Sequence, residues 1–333
     1  MRYFVIGGAG YIGSHFIRMA SEQNHDVMAW DNLSRGHRRA VPEAIPFIHA
    51  DILDQARLTE ELRKFNPDAV LHFAALALVG ESVAHPDTYF RNNVQGVFSL
   101  LEAMRTAAPG ASLVFSSSCA VFGVPRKLPI CEEDEKNPVS PYGRSKLMAE
   151  FLIEDYCRAY GLKAMPLRYF NACGAHSSGT LGEDHDPETH LIPNIIRAAL
   201  QGKKVTIFGN DFPTRDGTCV RDYIHVEDLV EAHLLAAGWL SRREAGTFSP
   251  VHLGTGTGLS NLDICKAAGR VLGREVGMTF GPRRPGDPPE LYADNTRGRE
   301  LLGFTPRLSG PEHILRTALK WHQNFPGGYA DAP

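Results

Sequence analysis

The feature that most constrains the chain lies at its start. Residues 2–6 (RYFVI) form an apolar run rich in strand formers. They lead into Gly7-Gly8-Ala9-Gly10-Tyr11-Ile12-Gly13, and a helical stretch covers about Ile12 to Ser21. His25 to Trp30 reads as a second strand and ends at Asp31, 18 residues past Gly13. Strand, glycine turn, helix, strand and acid in this order define a dinucleotide-binding unit. Glycines let the backbone turn tightly and approach a pyrophosphate, whose charge then faces the helix N-terminus. A carboxylate at Asp31 accepts hydrogen bonds from both hydroxyls of an adenosine ribose and repels a 2′-phosphate. That choice favours NAD over NADP.

The unit repeats its rhythm downstream. Pro46 to Ala50 is a third strand, leading to Asp51-Ile52. Asp54 is placed to cap a helix that runs to about Lys64. Asp68 to Phe73 is a fourth strand and ends in Ala74-Ala75, small residues that let a cofactor lie close. A long helix from about Pro86 to Thr106 carries Asn92 and Asn93, and Ala111 to Phe115 is a fifth strand running into Ser116-Ser117-Ser118. A helix from Tyr142 to Tyr160 crosses to the strand Lys163 to Tyr169. Alternating strands and helices with parallel crossovers specify a doubly wound parallel sheet of Rossmann type.

At 333 residues the chain exceeds the length at which single cores stop growing, about 250–300 residues. Two lobes are expected: residues 1–170 for the dinucleotide, with about 225–255 packing back on them, and 171–333 as a smaller, discontinuous, mixed α/β lobe. In that second part, 171–188 read as a long loop. Leu191 to Gln201 and Val226 to Leu240 read as helices, and Val205–Phe208, Val251–Leu253 and Val276–Phe280 as strands. Arg283 to Asp287 reads as a turn. Ser260 with Asp263 is a capping box, and Ser309 with Glu312 is read as the cap of a last helix to about Phe325.

Composition excludes several classes. The formal net charge is −3 and no long basic run occurs, so neither nucleic acid nor an anionic membrane is an expected partner. No apolar run reaches the roughly 18–20 residues of a membrane span. The N-terminus reads as a strand, not a signal peptide. The six cysteines include no CxxC pair, which fits free thiols in a reducing compartment, and the expected location is the cytoplasm. The 14 histidines show no ligand spacing such as HExxH, so no catalytic metal is expected.

Tyr142-Gly143-Arg144-Ser145-Lys146 carries the chemistry. Tyr142 and Lys146 are four residues apart and share a helix face. An ammonium beside a phenol favours the phenolate, so the Tyr pKa falls. A phenol tuned in that way can take a proton from a sugar hydroxyl and return it. Ser118 lies at the carboxyl end of a strand, where ligands bind in doubly wound sheets. Arg221 and Arg284 sit in loops of the second lobe, and Arg suits bidentate phosphate contacts; each is equally well read as a surface charge or an ion pair.

GGAGYIGSH, Asp31-Asn32-Leu33, HFAA followed by VGESV, Asn92-Asn93-Val94, SSS before VFG, SPYGRSKLMAE, LRYFNACGAH, IFGND, DGTCVRDYIHVED and RPGD occur in one order. Over nearly the whole chain this resembles the UDP-glucose 4-epimerases, members of the extended short-chain dehydrogenase/reductases. The resemblance implies a bound NAD that is not consumed, a UDP-sugar substrate and a homodimer paired through the helices Pro86–Thr106 and Tyr142–Tyr160. It makes Tyr142 the base at the sugar 4-hydroxyl and Ser118 its hydrogen-bonding partner. Lys146 becomes the residue that binds the nicotinamide ribose and lowers the Tyr pKa. Hydride then moves from the fourth carbon to NAD, the 4-keto sugar rotates, and hydride returns to the other face. The resemblance puts Gly7, Gly10, Tyr11, Ile12 and Gly13 at the pyrophosphate turn. Asp31 and Asn32 fall at the ribose, Asp51 and Ile52 at the adenine, and Phe73, Ala74, Ala75 and Asn93 toward the nicotinamide. Ser116, Tyr169 and Phe170 join the cofactor residues. Asn171, His190, Leu191, Thr206, Phe208, Arg221, Arg284, Asp287 and Leu291 fall on the UDP-sugar side.

Three positions depart from the family pattern: Ala77 for a Lys near the cofactor, Phe122 for a Tyr, and His190 for an Asn at the diphosphate. Sister dehydratases carry an acidic pair after the residue matching Ser118. Here Cys119 and Ala120 stand in those places, which argues against elimination. Leu291 aligns with the position that sets pocket size, so UDP-N-acetylhexosamine and UDP-pentose epimerases remain alternatives, and a non-catalytic NAD sensor is the alternative of a different class.

Overall fold

The computed structural model describes residues 1–284 and 287–330. Its strands are β1 (Arg2–Ile6), β2 (Asp26–Asp31), β3 (Phe47–His49), β4 (Ala69–His72), β5 (Ser112–Ser118), β6 (Lys163–Tyr169), β7 (Asn171–Cys173), β8 (Val205–Phe208), β9 (Val220–Arg221), β10 (Tyr223–His225), β11 (Val251–Leu253), β12 (Leu259–Ser260), β13 (Met278–Gly281) and β14 (Glu290–Leu291). Its α-helices are α1 (Tyr11–Glu22), α2 (Gln55–Phe65), α3 (Val79–Ala84), α4 (Pro86–Phe90), α5 (Gly96–Ala107), α6 (Pro141–Tyr160), α7 (Leu191–Leu200), α8 (Val226–Leu240), α9 (Asn261–Leu272), α10 (Thr296–Leu302) and α11 (Pro311–Asn324).

Seven strands form one sheet in the order β11-β6-β5-β4-β1-β2-β3, every neighbouring pair parallel. Strand order reverses between β1 and β4, the switch point where a doubly wound sheet opens a ligand crevice. Side chains alternate across the sheet, and β1 shows the consequence. Tyr3 and Val5 pack with α1 and α8, through Phe16, Ile17, Leu229 and Val230. Phe4 and Ile6 pack with α2 and α5, through Leu58, Leu62, Val97 and Leu100, and with Ile153 of α6. Both faces are covered, which is why β1 is buried and largely hydrophobic from Tyr3 to Ile6. The edge strand β11 and the helix α8 come from far along the chain and complete this first layer system. A separate core unites α7, α9 and α11 with β8 and β10, through Ile195, Ile264, Ile314, Ile207 and Tyr223.

Local signals explain the ends of several elements. Asp54 accepts from Arg57 N and caps α2, and Ser260 and Asp263 make the reciprocal box that opens α9. Ser140 accepts from Gly143 N with Pro141 in the first turn, which starts α6. Three readings of the sequence need correction. Ser309 does not cap the last helix: its hydroxyl donates to Asp228 (2.6 Å) and accepts from His225 N (2.8 Å), and Gly310 is the cap residue of α11. The helix read over Pro86–Thr106 runs without a break but contains a π turn at Arg91–Gln95 between α4 and α5. Part of 171–188 is strand, since β7 pairs in parallel with β10. In the turn read at Arg283 to Asp287, Pro285 and Gly286 lie outside the described residues, as do residues 331–333 at the end of the second lobe. Among the described residues no helix is long and apolar enough to cross a membrane.

Candidate active site

The glycine turn is built by close approach. Gly7 has φ +80°, and a Cβ there would strike Ala74 N and the Phe73 carbonyl carbon. A Cβ on Gly13 would fall on the Gly7 carbonyl oxygen. The turn therefore lies against the end of β4, where Phe73 N donates to Ile6 O. Gly10 caps α1 without a side chain, so the first N–H groups of α1 (Tyr11, Ile12, Gly13) stay open to an anion. Tyr11 donates its hydroxyl to Gly174 O (2.7 Å), holding the turn to the start of the second lobe.

Asp31 is 8% exposed. One of its oxygens accepts from Ala9 N (2.9 Å) and the other from Leu33 N (2.7 Å). Burial pushes its pKa up, and those two N–H bonds work downward. Each oxygen keeps a further lone pair for a hydroxyl donor. Asn32 Nδ2 donates to Asp51 Oδ2 (2.8 Å), and Ile52 is buried beneath. A glycine cradle that admits no Cβ, an open helix end and a buried acceptor carboxylate fit the pyrophosphate and ribose of NAD.

Asn93, expected toward the nicotinamide, is held by the protein's own groups. It is 2% exposed and its amide is already spent: Nδ2 donates to Leu76 O and Ser145 Oγ, and Oδ1 accepts from Leu76 N, all at 3.0 Å. It ties the loop after β4 to α6. These contacts explain the π turn, because one extra residue per turn swings Asn93 inward. Ala75 and Ala77 lie on the same loop.

Ser116, Ser117 and Ser118 form the carboxyl end of β5, and Ser118 pairs in register with Tyr169 of β6. Tyr142 lies in the first turn of α6 and Lys146 one turn later. Burial pushes the Tyr142 phenol up to about 12, the nearby Ser118 hydroxyl works against this, and Cys119 adds to the rise. Burial pulls Lys146 down to about 7, with Glu150 working against it. Lys146 Nζ donates to Ser116 O (2.7 Å) and lies 4.9 Å over the Phe115 ring. The sequence argument had the ammonium lowering the phenol. Here burial outweighs the other influences on both groups. Burial likewise raises Tyr169, and it pushes the Cys119 thiol up to about 12.

Beyond the carboxyl end of β6 opens a cavity of about 640 Å³ lined by Asn171, His190, Leu191, Thr206, Phe208, Arg221, Arg284 and Asp287, eight of the residues expected on the UDP-sugar side; Ser118, Tyr142 and Leu291 are not in its wall. Its cations are positioned from several elements. The Arg284 guanidinium stacks 4.2 Å over the Phe208 ring, and its Nη1 donates to Thr189 O. Arg221 Nη1 donates to Val220 O (2.9 Å), and its Nη2 is 3.5 Å from Asp287. His190 is pressed against Glu183 and Glu188. Burial disfavours its charge, but those carboxylates carry its pKa up to about 10.

Leu291 is 7% exposed and packs in a cluster with Cys119, Phe122 and Phe170, while pairing with Arg221 in register. It links the cavity to the strand end that holds Ser118. Phe170 and Asn171 continue from Tyr169 into the cavity. Phe122 is buried, with its ring edge-on to His252 and the Arg168 guanidinium 5.4 Å from its centroid. Sequence reasoning passed over Tyr223, Asn261, Lys203 and Lys204, which also line the cavity. The adjacent lysines before β8 were the available signal.

Comparison with known proteins agrees with this architecture. Residues 3–248 match the model of the NAD dependent epimerase/dehydratase family. The chain is 48% identical to a UDP-glucose 4-epimerase of Lactobacillus helveticus over 332 residues, 99% of this chain and 100% of that one. It superposes on a UDP-glucose 4-epimerase from Brucella ovis, solved with NAD, with TM-score 0.91 and 50% identity, covering 96% and 97% of the two chains. It also superposes on a UDP-Glc/GlcNAc 4-epimerase from Campylobacter jejuni with TM-score 0.82 and 34% identity, covering 97% and 99%. The chain belongs to the NAD-dependent epimerase/dehydratase family.

Proposed function

We propose that this protein is a UDP-glucose 4-epimerase that uses bound NAD to interconvert UDP-glucose and UDP-galactose. The observation that carries the reading is the continuity from the strand end at Ser118 into the arginine-lined cavity. Ser118 pairs with Tyr169, and Asn171, two residues further on, is already in the cavity wall. A nucleoside diphosphate held by Arg221 and Arg284 would present its sugar to that strand end.

The residue roles follow from chemistry. Residues 1–170 hold the cofactor through Gly7, Gly10, Gly13 and Asp31, and residues 171–333 supply most of the UDP-sugar cavity. When bound, NAD supplies a reversible acceptor for hydride from the sugar's fourth carbon. Tyr142 removes the proton of the 4-hydroxyl and returns it, and Ser118 bridges the two oxygens. Tyr142 must be ionised to act as base, so a cation has to join it in the complex; Lys146, one turn away, is the protein's group for that task. Arg221 and Arg284 keep the diphosphate fixed while the keto sugar turns. Cys119, whose thiol stays protonated, and Ala120 offer neither the base nor the acid of an elimination.

An exposed apolar groove along α5 and α6, lined by Phe90, Val94, Phe98, Met148 and Leu152, supports a homodimer joined by those helices. The proposed location is the cytoplasm. Purified protein should interconvert the two UDP-hexoses with no change of mass. Tyr142→Phe should lower kcat by about 10²–10⁴-fold with its circular dichroism unchanged. A Phe variant as fast as wild type, or a product lighter by water, overturns the reading.

A further inference from the structure

The loop between β7 and α7 contains Glu183-Asp184-His185-Asp186-Pro187-Glu188-Thr189-His190. Four of its side chains converge. Glu183, His185, Glu188 and His190 each offer one ligand atom, and these atoms all lie within 4.8 Å of one another. His185 Nδ1 is 3.2 Å from Glu183 Oε1 and 4.0 Å from Glu188 Oε2. His190 Nδ1 is 2.5 Å from Glu183 Oε1 and 3.4 Å from Glu188 Oε1. Zinc bound to nitrogen and oxygen at about 2.0–2.2 Å in a tetrahedron has ligand–ligand edges of about 3.3–3.6 Å. The four His–Glu distances, two to Glu183 Oε1 and one to each Glu188 oxygen, run from 2.5 to 4.0 Å and bracket that length. We propose that Glu183, His185, Glu188 and His190 form a structural zinc centre that locks this loop onto the start of α7.

Charge and satisfaction support a dication there. The Glu183 and Glu188 side chains are 4% and 3% exposed, so two carboxylates are buried side by side. Glu188 Oε2 is buried without a hydrogen-bond partner and belongs to the cluster. Two carboxylates, two neutral imidazoles and Zn²⁺ make a neutral set, in which the dication, in place of a protonated His190, offsets the buried carboxylates. The donor set of two imidazoles and two carboxylates is one that zinc accepts.

The backbone around the set is held independently. Glu183 O accepts from Trp321 Nε1 (3.1 Å), and Glu188 O accepts from Asn194 Nδ2 (3.3 Å). Four protein ligands leave no open coordination position, so the centre is structural, not catalytic. Coordination through Nδ1 leaves the far nitrogen of His190 free on the cavity wall, so the centre would also fix the one histidine expected at the substrate.

The test uses the full-length protein and zinc itself. After exposure to Zn²⁺ and gel filtration, mass spectrometry of the metal should give about one zinc per chain. Co²⁺ added to chelator-treated protein should give the intense visible bands of tetrahedral coordination. His185→Ala and Glu188→Gln should each abolish both signals while keeping the wild-type circular dichroism. Zn²⁺ should raise the melting temperature of wild type and of neither variant. Wild type that retains no zinc and gives only the weak octahedral cobalt spectrum overturns the proposal and leaves an ion-pair cluster. Stoichiometric zinc in both variants overturns the ligand assignment. Neither readout depends on epimerase activity.

Discussion

Arg168 and Glu150 form a two-pronged ion pair inside the protein. Arg168 Nε donates to Glu150 Oε1 at 2.9 Å and Nη2 to Oε2 at 2.6 Å, with both side chains 3% exposed. Ser117 donates to the same Oε1 at 2.5 Å. Glu150 is one turn beyond Lys146 on α6, Ser117 adjoins Ser118, and Arg168 adjoins Tyr169. One carboxylate thus bolts the helix that carries Tyr142 to the two strands that carry its partners.

Removing that charge should be costly. Glu150→Gln leaves a buried guanidinium unpaired, and breaking such a pair costs about 3–5 kcal/mol. Urea denaturation should show this loss, and Glu150→Gln with Arg168→Met should recover part of it. A single variant with the wild-type midpoint would show that the pair adds nothing.

Tyr142 should titrate differently with and without cofactor. In the free chain burial holds the phenol near about 12. A bound nicotinamide cation beside it favours the phenolate, and the pKa should fall by more than about 1 unit. The difference in phenolate absorbance between wild type and Tyr142→Phe, followed with pH, isolates this group. Identical curves with and without NAD would show that the cofactor does not shift the phenol.

Acid should destabilise the fold from pH 6.5 downward. Burial lowers His72, His225 and His252 to about 3 and His15, His233 and His322 to about 4, six groups that stay neutral when folded. Unfolded, each takes up a proton near pH 6.5. Between about pH 4 and 6.5 the unfolded chain therefore binds more protons, so stability rises with pH and is lost as pH falls. Each group contributes up to roughly 1.4 kcal/mol per pH unit. Asp31, Asp222 and Glu132, raised by burial, oppose this at the acid end. Guanidinium unfolding at pH 6.5, 5.5 and 4.5 measures the slope; equal stability at all three refutes it.

Leu291 should govern sugar size. Its cluster with Cys119 and Phe170 adjoins Ser118. Detectable epimerisation of UDP-N-acetylglucosamine is expected, below that of UDP-glucose. Leu291→Tyr should suppress the acetamido substrate selectively, within the about 1–3 kcal/mol that bulk discriminates. Equal losses on both sugars, or none, would remove Leu291 as the gate; UDP-xylose serves as the control without a sixth carbon.

What the residues disclosed follows the range of the forces involved. The glycine turn, the Asp54 cap and the Ser260–Asp263 box rest on neighbours in sequence, and each was readable there. The π turn at Arg91–Gln95 was not, because Leu76 and Ser145, from other elements, pull Asn93 inward. Ser309 looked like a cap and was recruited by Asp228, 81 residues away. Burial raises Tyr142 and lowers Lys146, and no four-residue spacing reports burial. The paired strands of two or three residues in the second lobe are too short for any periodicity. The carboxylates behind His190 lie in a loop, where spacing carries no face.

The late edge strand β11 also fixes an order of events. Val251–Leu253 hydrogen-bond to Leu167–Tyr169, so β6 stays an open edge until residue 253 has been made. The helix α8 that covers one sheet face arrives just before it. A nascent chain that has finished its dinucleotide unit still shows an unpaired strand and a bare apolar layer to its surroundings. A fragment ending at residue 170 would remain in that half-covered condition, prone to pairing with its own kind.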